Sequence, residues 1–199
     1  MGKLEKKLKG LFEKEDSARE LSLKLCREIG RLAADSIKKV HQHLYDKAEQ
    51  EIREGLKLLE KTKRILSPFP EVMYAGFLHS SEKELAEAVI TLGIIRDRKI
   101  PEPERYRFDY KSYLHGLCES TGEIRRHILD ELRKGKVAEC EKLLDIMDEI
   151  YFSLLNFQFT DAITRSLRRQ VDYVRGILEK TRSEVTMAAL FLGPGPRNC

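Results

Sequence analysis

Apolar positions recur at intervals of three and four along nearly the whole chain, with charged residues filling the gaps. Leu21, Leu25, Ile29, Leu32, Ser36, Val40 and Leu44 trace one such stripe, and Asp46 to Leu66 continues it through Ile52, Leu56 and Leu59. That spacing lines apolar side chains along one face of an α-helix. Pro68 and Pro70, in S-P-F-P, end the second helix because neither can donate to the ladder. The next well-marked start is Ser81, where Ser81-x-x-Glu84 matches a capping box, and the helix it opens runs toward the Pro101 and Pro103 loop. Tyr110, Leu114, Leu117, Thr121, Ile124, Ile128 and Leu132 predict a further helix, closed by Lys134-Gly135. Another is expected from Val137 to about Phe159, and a last one from the N-cap Asp161 to about Leu190.

No stretch alternates polar and apolar with turn signals at strand spacing, so the expected class is all-α. The expected architecture is an elongated antiparallel bundle of about six to seven long helices in a single domain over residues 1–192, with 193–199 as a disordered tail. Several of these helices exceed the usual globular length, which favours faces that also pack on other subunits.

Composition narrows the partners only a little. The 199 residues suit one domain, and 37 Lys and Arg against 33 Asp and Glu leave +4, which excludes a polybasic tail protein. Cys26, Cys118, Cys140 and Cys199 lie far apart, so neither a zinc site nor a disulfide framework is indicated. With no leader-like segment and no apolar run near the roughly 20 residues of a spanning helix, no membrane role and a cytoplasmic location are expected.

Candidate chemistry begins with Glu87. From Leu85 to Ile95 the chain reads L-A-E-A-V-I-T-L-G-I-I, and Glu87 is its one charge. An ionised acid in such surroundings costs on the order of several kcal/mol unless it is protonated, paired or bound to a metal. Glu84 and Glu87 are i, i+3 neighbours, and Glu119 and Glu123 are i, i+4 neighbours on the helix that starts near Asp109. If the two helices lie side by side, these four acids suit a hard cation such as Mg²⁺, whose usual use is to offset phosphoryl charge and activate water in phosphodiester cleavage. Each acid also has a structural reading. Glu84 is the third residue of the capping box, Glu119 and Glu123 fall opposite the apolar stripe, and Arg126 stands three residues after Glu123 as a partner.

Lys24, Arg27, Arg31 and Lys38 form a basic stripe on the first long helix, suited to tracking phosphates or simply to facing water alongside Glu20 and Glu28. His41 and His43 read as caps or surface residues, since no H-E-x-x-H or matching cysteine accompanies them.

The segment Asp109-Tyr110-x-x-Tyr113-Leu114-x-Gly116-Leu117-x-Glu119-x-Thr121-Gly122-Glu123-Ile124-x-Arg126 resembles the most distinctive motif of the translin/TRAX family. Ser17-Ala18-Arg19-Glu20 through Arg27-Glu28-Ile29 to Val40-His41 is similar to that family's first helix, and Glu84-Leu85-Ala86-Glu87-Ala88-Val89 to its acidic helix. Phe69-Pro70 and Asp172-Tyr173-Val174-Arg175 to Leu178 also fit, so the likeness spans about residues 4 to 190. The resemblance implies seven helices assembled into a hollow octamer around RNA or single-stranded DNA. It further implies either a TRAX-type Mg²⁺-dependent endoribonuclease or a translin-type binding protein. In the nuclease branch the catalytic and metal-holding acids match Glu84, Glu87, Glu119 and Glu123, with Mn²⁺ as a substitute ion. Glu119 departs from the Asp usual there, keeping the charge and adding a methylene, while Thr91-Leu92-Gly93-Ile94 looks closer to the binding branch. Arg19, Arg27, Arg31, Lys38 and Arg126 become the candidates for gripping phosphates. The implied assembly is a homo-octamer, or a hetero-octamer with a translin-like paralogue. Without the resemblance, the same features describe a helical scaffold with no nucleic-acid role.

Overall fold

A computed structural model describes residues 1–192; the expected tail, 193–199, lies outside the described residues. The described residues form helices and connecting turns, with no strand among them. The six long helices are α1 (Gly2–His41), α2 (Tyr45–Leu66), α4 (Phe77–Asp97), α6 (Tyr110–Leu132), α7 (Val137–Leu154) and α9 (Leu167–Leu192). Three single-turn helices link them: α3 (Pro70–Met73), α5 (Pro103–Tyr106) and α8 (Asp161–Thr164). The six predicted helices are thus present, with boundaries that differ at three ends.

The first difference bears on the site. α4 begins at Phe77 behind Gly76, whose φ of 103° turns the chain into the helix. Ser81 is therefore inside the first turns rather than at a cap, and its hydroxyl donates back to the Leu78 carbonyl at 3.0 Å. The capping-box expectation is corrected: four residues of good helical spacing precede Ser81, and packing of Leu78 recruits them. The second difference is the end of α7 at Leu154, since Phe157 and Phe159 stay exposed and nothing packs the helix onward. The third is a break before α9, where Arg165 and Ser166 adopt φ of 51° and 63° and turn the chain between α8 and α9.

α4 lies at the centre and packs against α1, α2, α6 and α7. Its run from Leu85 to Ile95 is buried as expected, except at Glu87, which is partly exposed. The hairpins α1–α2 and α6–α7 reverse direction through short turns, so their helices are antiparallel. α4 and α6 are different. His79 meets Ser112 at 2.8 Å and Lys83 meets Glu119 at 2.6 Å, so contacts advance together along both helices and the two run parallel. The crossover from Arg98 to Asp109 makes this possible by returning the chain along α4, passing Gly93 so closely that a Cβ there would lie 2.6 Å from the Pro101 ring. The crossover is anchored at its far end by the buried carboxylate of Glu82. It receives the Lys63 ammonium at 2.5 Å, the Asp109 backbone N–H at 2.8 Å and the Ser112 hydroxyl at 3.3 Å. Asp109 in turn caps α6, accepting from the N–H groups of Lys111 and Ser112.

Gly116 sets how near α6 comes to α4. A Cβ at this position would lie 2.8 Å from both Glu87 N and Lys83 O and 2.9 Å from Ala86 Cβ, all of them parts of α4 that have no room to yield. The substitution Gly116→Ala is therefore expected to destabilise the fold by about 1–3 kcal/mol, as inserted core methyls do, despite alanine's better helix propensity. Urea unfolding of the two chains checks this, and equal stabilities would show that the crossing has slack.

Candidate metal and nucleic-acid site

The parallel crossing at Gly116 places Glu84 and Glu87 of α4 beside Glu119 and Glu123 of α6, in the same order along both helices. Glu119 accepts from Lys83 Nζ at 2.6 Å. Glu123 receives the Nε2–H of His41 at 2.6 Å and lies 3.8 Å from Arg126, the partner its spacing predicted. Glu84 reaches the other way, to α1, where a Cβ at Gly30 would fall 2.5 Å from its Oε2. The structure thus brings all four predicted acids to one neighbourhood, between α1, α4 and α6.

Glu87 makes no side-chain hydrogen bond or ion pair among the described residues. Burial pushes its carboxyl up to about 8, and the charges of Glu119 and Glu123, with a smaller part from Glu84, add to that; Lys83 opposes it. Glu123 is shifted below the ordinary carboxylate range, first by the His41 hydrogen bond. The contrast with Glu82 is instructive. Glu82 is only 2% exposed but fully provided with donors, whereas Glu87 is less buried and has none. A partly buried carboxyl without a donor, among three other carboxylates, is the donor chemistry a hard divalent cation satisfies. As they stand, no three ligand side chains among the described residues converge on one point. These residues therefore fit a magnesium-type ion by charge and atom type, with Glu119 paired to Lys83 and one oxygen of Glu123 held by His41.

The basic candidates divide. Arg19 pairs with Glu20, Arg31 with Glu28 and Asp35, and Lys38 with Asp35, so along these turns the stripe is laced by its own acids. Arg27 and Lys24 make no ion pair among the described residues, and Arg126 is exposed beside the acids. Which face of α1 looks toward the site is settled by Gly30 and His41, which touch Glu84 and Glu123. Arg27 lies one turn before Gly30, and Lys38 one turn before His41. Sequence reasoning missed Lys83 and read His41 as a cap or surface residue. His41 instead has a buried side chain, with 6% of it exposed. Lys83 was findable, being four residues before Glu87 on the same face; His41, 82 residues from Glu123, carried no such signal.

The fold and this arrangement define an all-α bundle with an acid-lined crossing of two parallel helices. No family model matches the chain. An uncharacterized protein of Methanocaldococcus jannaschii is 35% identical over 175 residues, covering 86% of this chain and 76% of that protein. The structure of AfC3PO superposes with a TM-score of 0.84 at 31% identity, covering 94% of this chain and 97% of that one. The AfC3PO complex with duplex RNA superposes with a TM-score of 0.83 at the same identity and coverage. NeC3PO without ligand shares the fold, with a TM-score of 0.84 at 23% identity over 92% of this chain. The chain belongs to the translin/TRAX family, whose assemblies these C3PO structures are. No helix among the described residues is long and apolar enough to cross a membrane.

The state of Glu87 has a measurable effect on stability. Between the ordinary carboxyl value of 4.5 and about 8 the folded chain keeps a proton that the unfolded chain has released. Stability therefore falls as pH rises through that window. Glu87→Gln, which has no proton to lose, is expected to flatten this slope and to melt above the wild type at pH 8–9 in EDTA. Thermal melts from pH 5 to 9 check it, and parallel curves for the two proteins would refute the buried-acid reading.

Proposed function

We propose that this chain is a Mg²⁺-dependent endoribonuclease of the translin/TRAX type, cutting single-stranded or nicked RNA inside an oligomeric shell. The observation that carries the reading is Glu87, a partly buried carboxyl without a partner beside Glu84, Glu119 and Glu123. In this reading those four residues hold the ion. Once bound, the ion supplies positive charge for the phosphoryl oxygens and a Lewis acid for the attacking water. The chain's own residues do the rest. Lys83, paired with Glu119 at 2.6 Å, would supply an ammonium at the site that could meet a phosphate oxygen. Arg126 and Arg27, at the rim, bind flanking phosphates. The duplex RNA in the AfC3PO complex supports RNA as the polymer, and extends the substrates worth testing to base-paired RNA.

The shell is supported by apolar side chains that the single chain leaves uncovered. Residues 1–21 include no buried one, and Leu4, Leu8, Leu11 and Phe12 stand 57%, 45%, 52% and 68% exposed on adjacent turns. In an octamer, of this chain alone or with a translin-like paralogue, such faces have partners. A second reading, a binding protein for single-stranded RNA or DNA without catalysis, is favoured by the contacts of Glu119 with Lys83 and Glu123 with His41. These give both acids a structural role.

The deciding assay incubates the purified protein with labelled single-stranded RNA, duplex RNA and single-stranded DNA, in Mg²⁺, Mn²⁺ or EDTA. The expected result is RNA cleavage in either metal and none in EDTA. Glu87→Gln and Glu119→Gln should lower the rate by on the order of 100-fold while binding stays intact and falls with salt. Binding without cleavage leaves the second reading, and no binding at modest salt removes both. Light scattering on the same preparation should report eight chains; a monomer would sink the shell.

A further inference from the structure

The structure assigns a role to a histidine outside the acid set, an inference that rests on the metal-site reading above. His41 is the last residue of α1, and its ring is buried against α6, with 6% of the side chain exposed. Its Nε2 lies 2.6 Å from Oε2 of Glu123. Its other nitrogen, Nδ1, is buried and has no hydrogen-bond partner among the described residues. The ring's one directed polar contact is therefore the one it makes to Glu123. A buried imidazole whose one hydrogen bond goes to a single carboxylate oxygen restrains that carboxylate's rotation, and with it the direction of the second oxygen.

We infer that His41 is a positioning residue for Glu123: its Nε2–H holds Oε2 of that carboxylate and so sets the orientation in which Oε1 would be offered to a cation. The neighbouring contacts agree with this division of labour. Arg126, the other cation paired with Glu123 among the described residues, lies at 3.8 Å with 60% of its side chain exposed, too far and too solvated to set an orientation. His43 is committed to the Tyr45 hydroxyl at 2.9 Å and does not compete for Glu123. His127, whose ring centre is 6.5 Å from that of His41, packs beside it without bonding to it. The arrangement also ties the end of α1 to α6, so the helix carrying the basic stripe is referenced to the acid set at two places, Gly30 and His41.

The test uses the full-length protein and Mn²⁺ as the probe, with His41 replaced in three ways. Gln places an amide N–H near the position of Nε2 and keeps the bond; Asn is polar but too short to reach; Leu fills the space with no donor. Mn²⁺ affinity is read by titration with electron paramagnetic resonance, alongside kcat and KM for RNA cleavage, RNA binding in EDTA, and melting in EDTA. The expected result is that His41→Asn and His41→Leu weaken Mn²⁺ binding by about 10- to 100-fold and lower kcat with KM unchanged, while His41→Gln stays within a few-fold of the wild type. RNA binding in EDTA should be the same in all four proteins. If the Leu variant does not fold, the Gln against Asn comparison decides alone. Equal Mn²⁺ affinity in the Gln and Asn variants overturns the assignment, whether both are normal or both impaired. A wild-type protein that binds no Mn²⁺ overturns the metal-site reading and this assignment with it. A wild type that binds Mn²⁺ and cuts RNA beside unaffected variants overturns only the assignment.

Discussion

The close parallel crossing of α4 and α6 at Gly116 is the constraint on which the rest of the molecule depends. With backbone atoms of Lys83 and Glu87 only 2.8 Å from where a Cβ would be, α6 has no side chain between itself and α4 at this point. Two helices so near have their adjacent turns in register, and because they run in the same direction, Glu119 and Glu123 of α6 come near enough to Glu87 of α4 for their charges to act on it. An antiparallel pair in the same contact would have opposed the order of these residues. The crossover from Arg98 to Asp109 and the three donors on Glu82 are what secure the parallel order, since they return the chain and seat the start of α6 beside the start of α4.

Once that crossing is made, like charge is unavoidable, and the fold answers it three ways. Glu119 is given an ammonium, Glu123 an imidazole and a more distant guanidinium, and Glu87 a proton. Glu84, turned toward Gly30 of α1, and Glu87 are the two acids left without a side-chain hydrogen bond or ion pair among the described residues, and of these Glu87 carries the raised carboxyl. Functional centres are where such shifts are commonly found. The buried Glu82, one turn before, shows that the same helix satisfies an acid completely when nothing else is asked of it.

Much of this was legible in the chain. The apolar stripes are set by local periodicity, and periodicity needs no knowledge of the partner helix, so the all-α class and six long helices follow from it. The burial of Leu85 to Ile95 and the isolation of Glu87 follow from composition over a single segment. The family motif, anchored on Tyr113, Gly116, Glu119 and Glu123, named the family to which the superposed structures also point. Helix ends were less readable. The Ser81 cap failed because capping residues also occur within helices, and only the packing of Leu78 and the turn at Gly76 show that α4 starts earlier. The α7 end and the Arg165–Ser166 break were hidden for the same reason: a helix continues or stops according to what its apolar face finds to cover it.

By itself, then, the sequence determined the helices, the family and the four acids, because each is written in spacings of three, four or seven residues within one element. Only the tertiary structure decided that α4 and α6 are parallel, that the face of α1 with Gly30 and His41 adjoins the acids, and that Lys83 and His41 hold Glu119 and Glu123. These are contacts between residues as many as 82 positions apart, and no local period relates them. Glu87 stands at the join of the two. Its neighbours in sequence marked it as an acid in need of a partner, and its neighbours in space, three more carboxylates, define the kind of partner it needs.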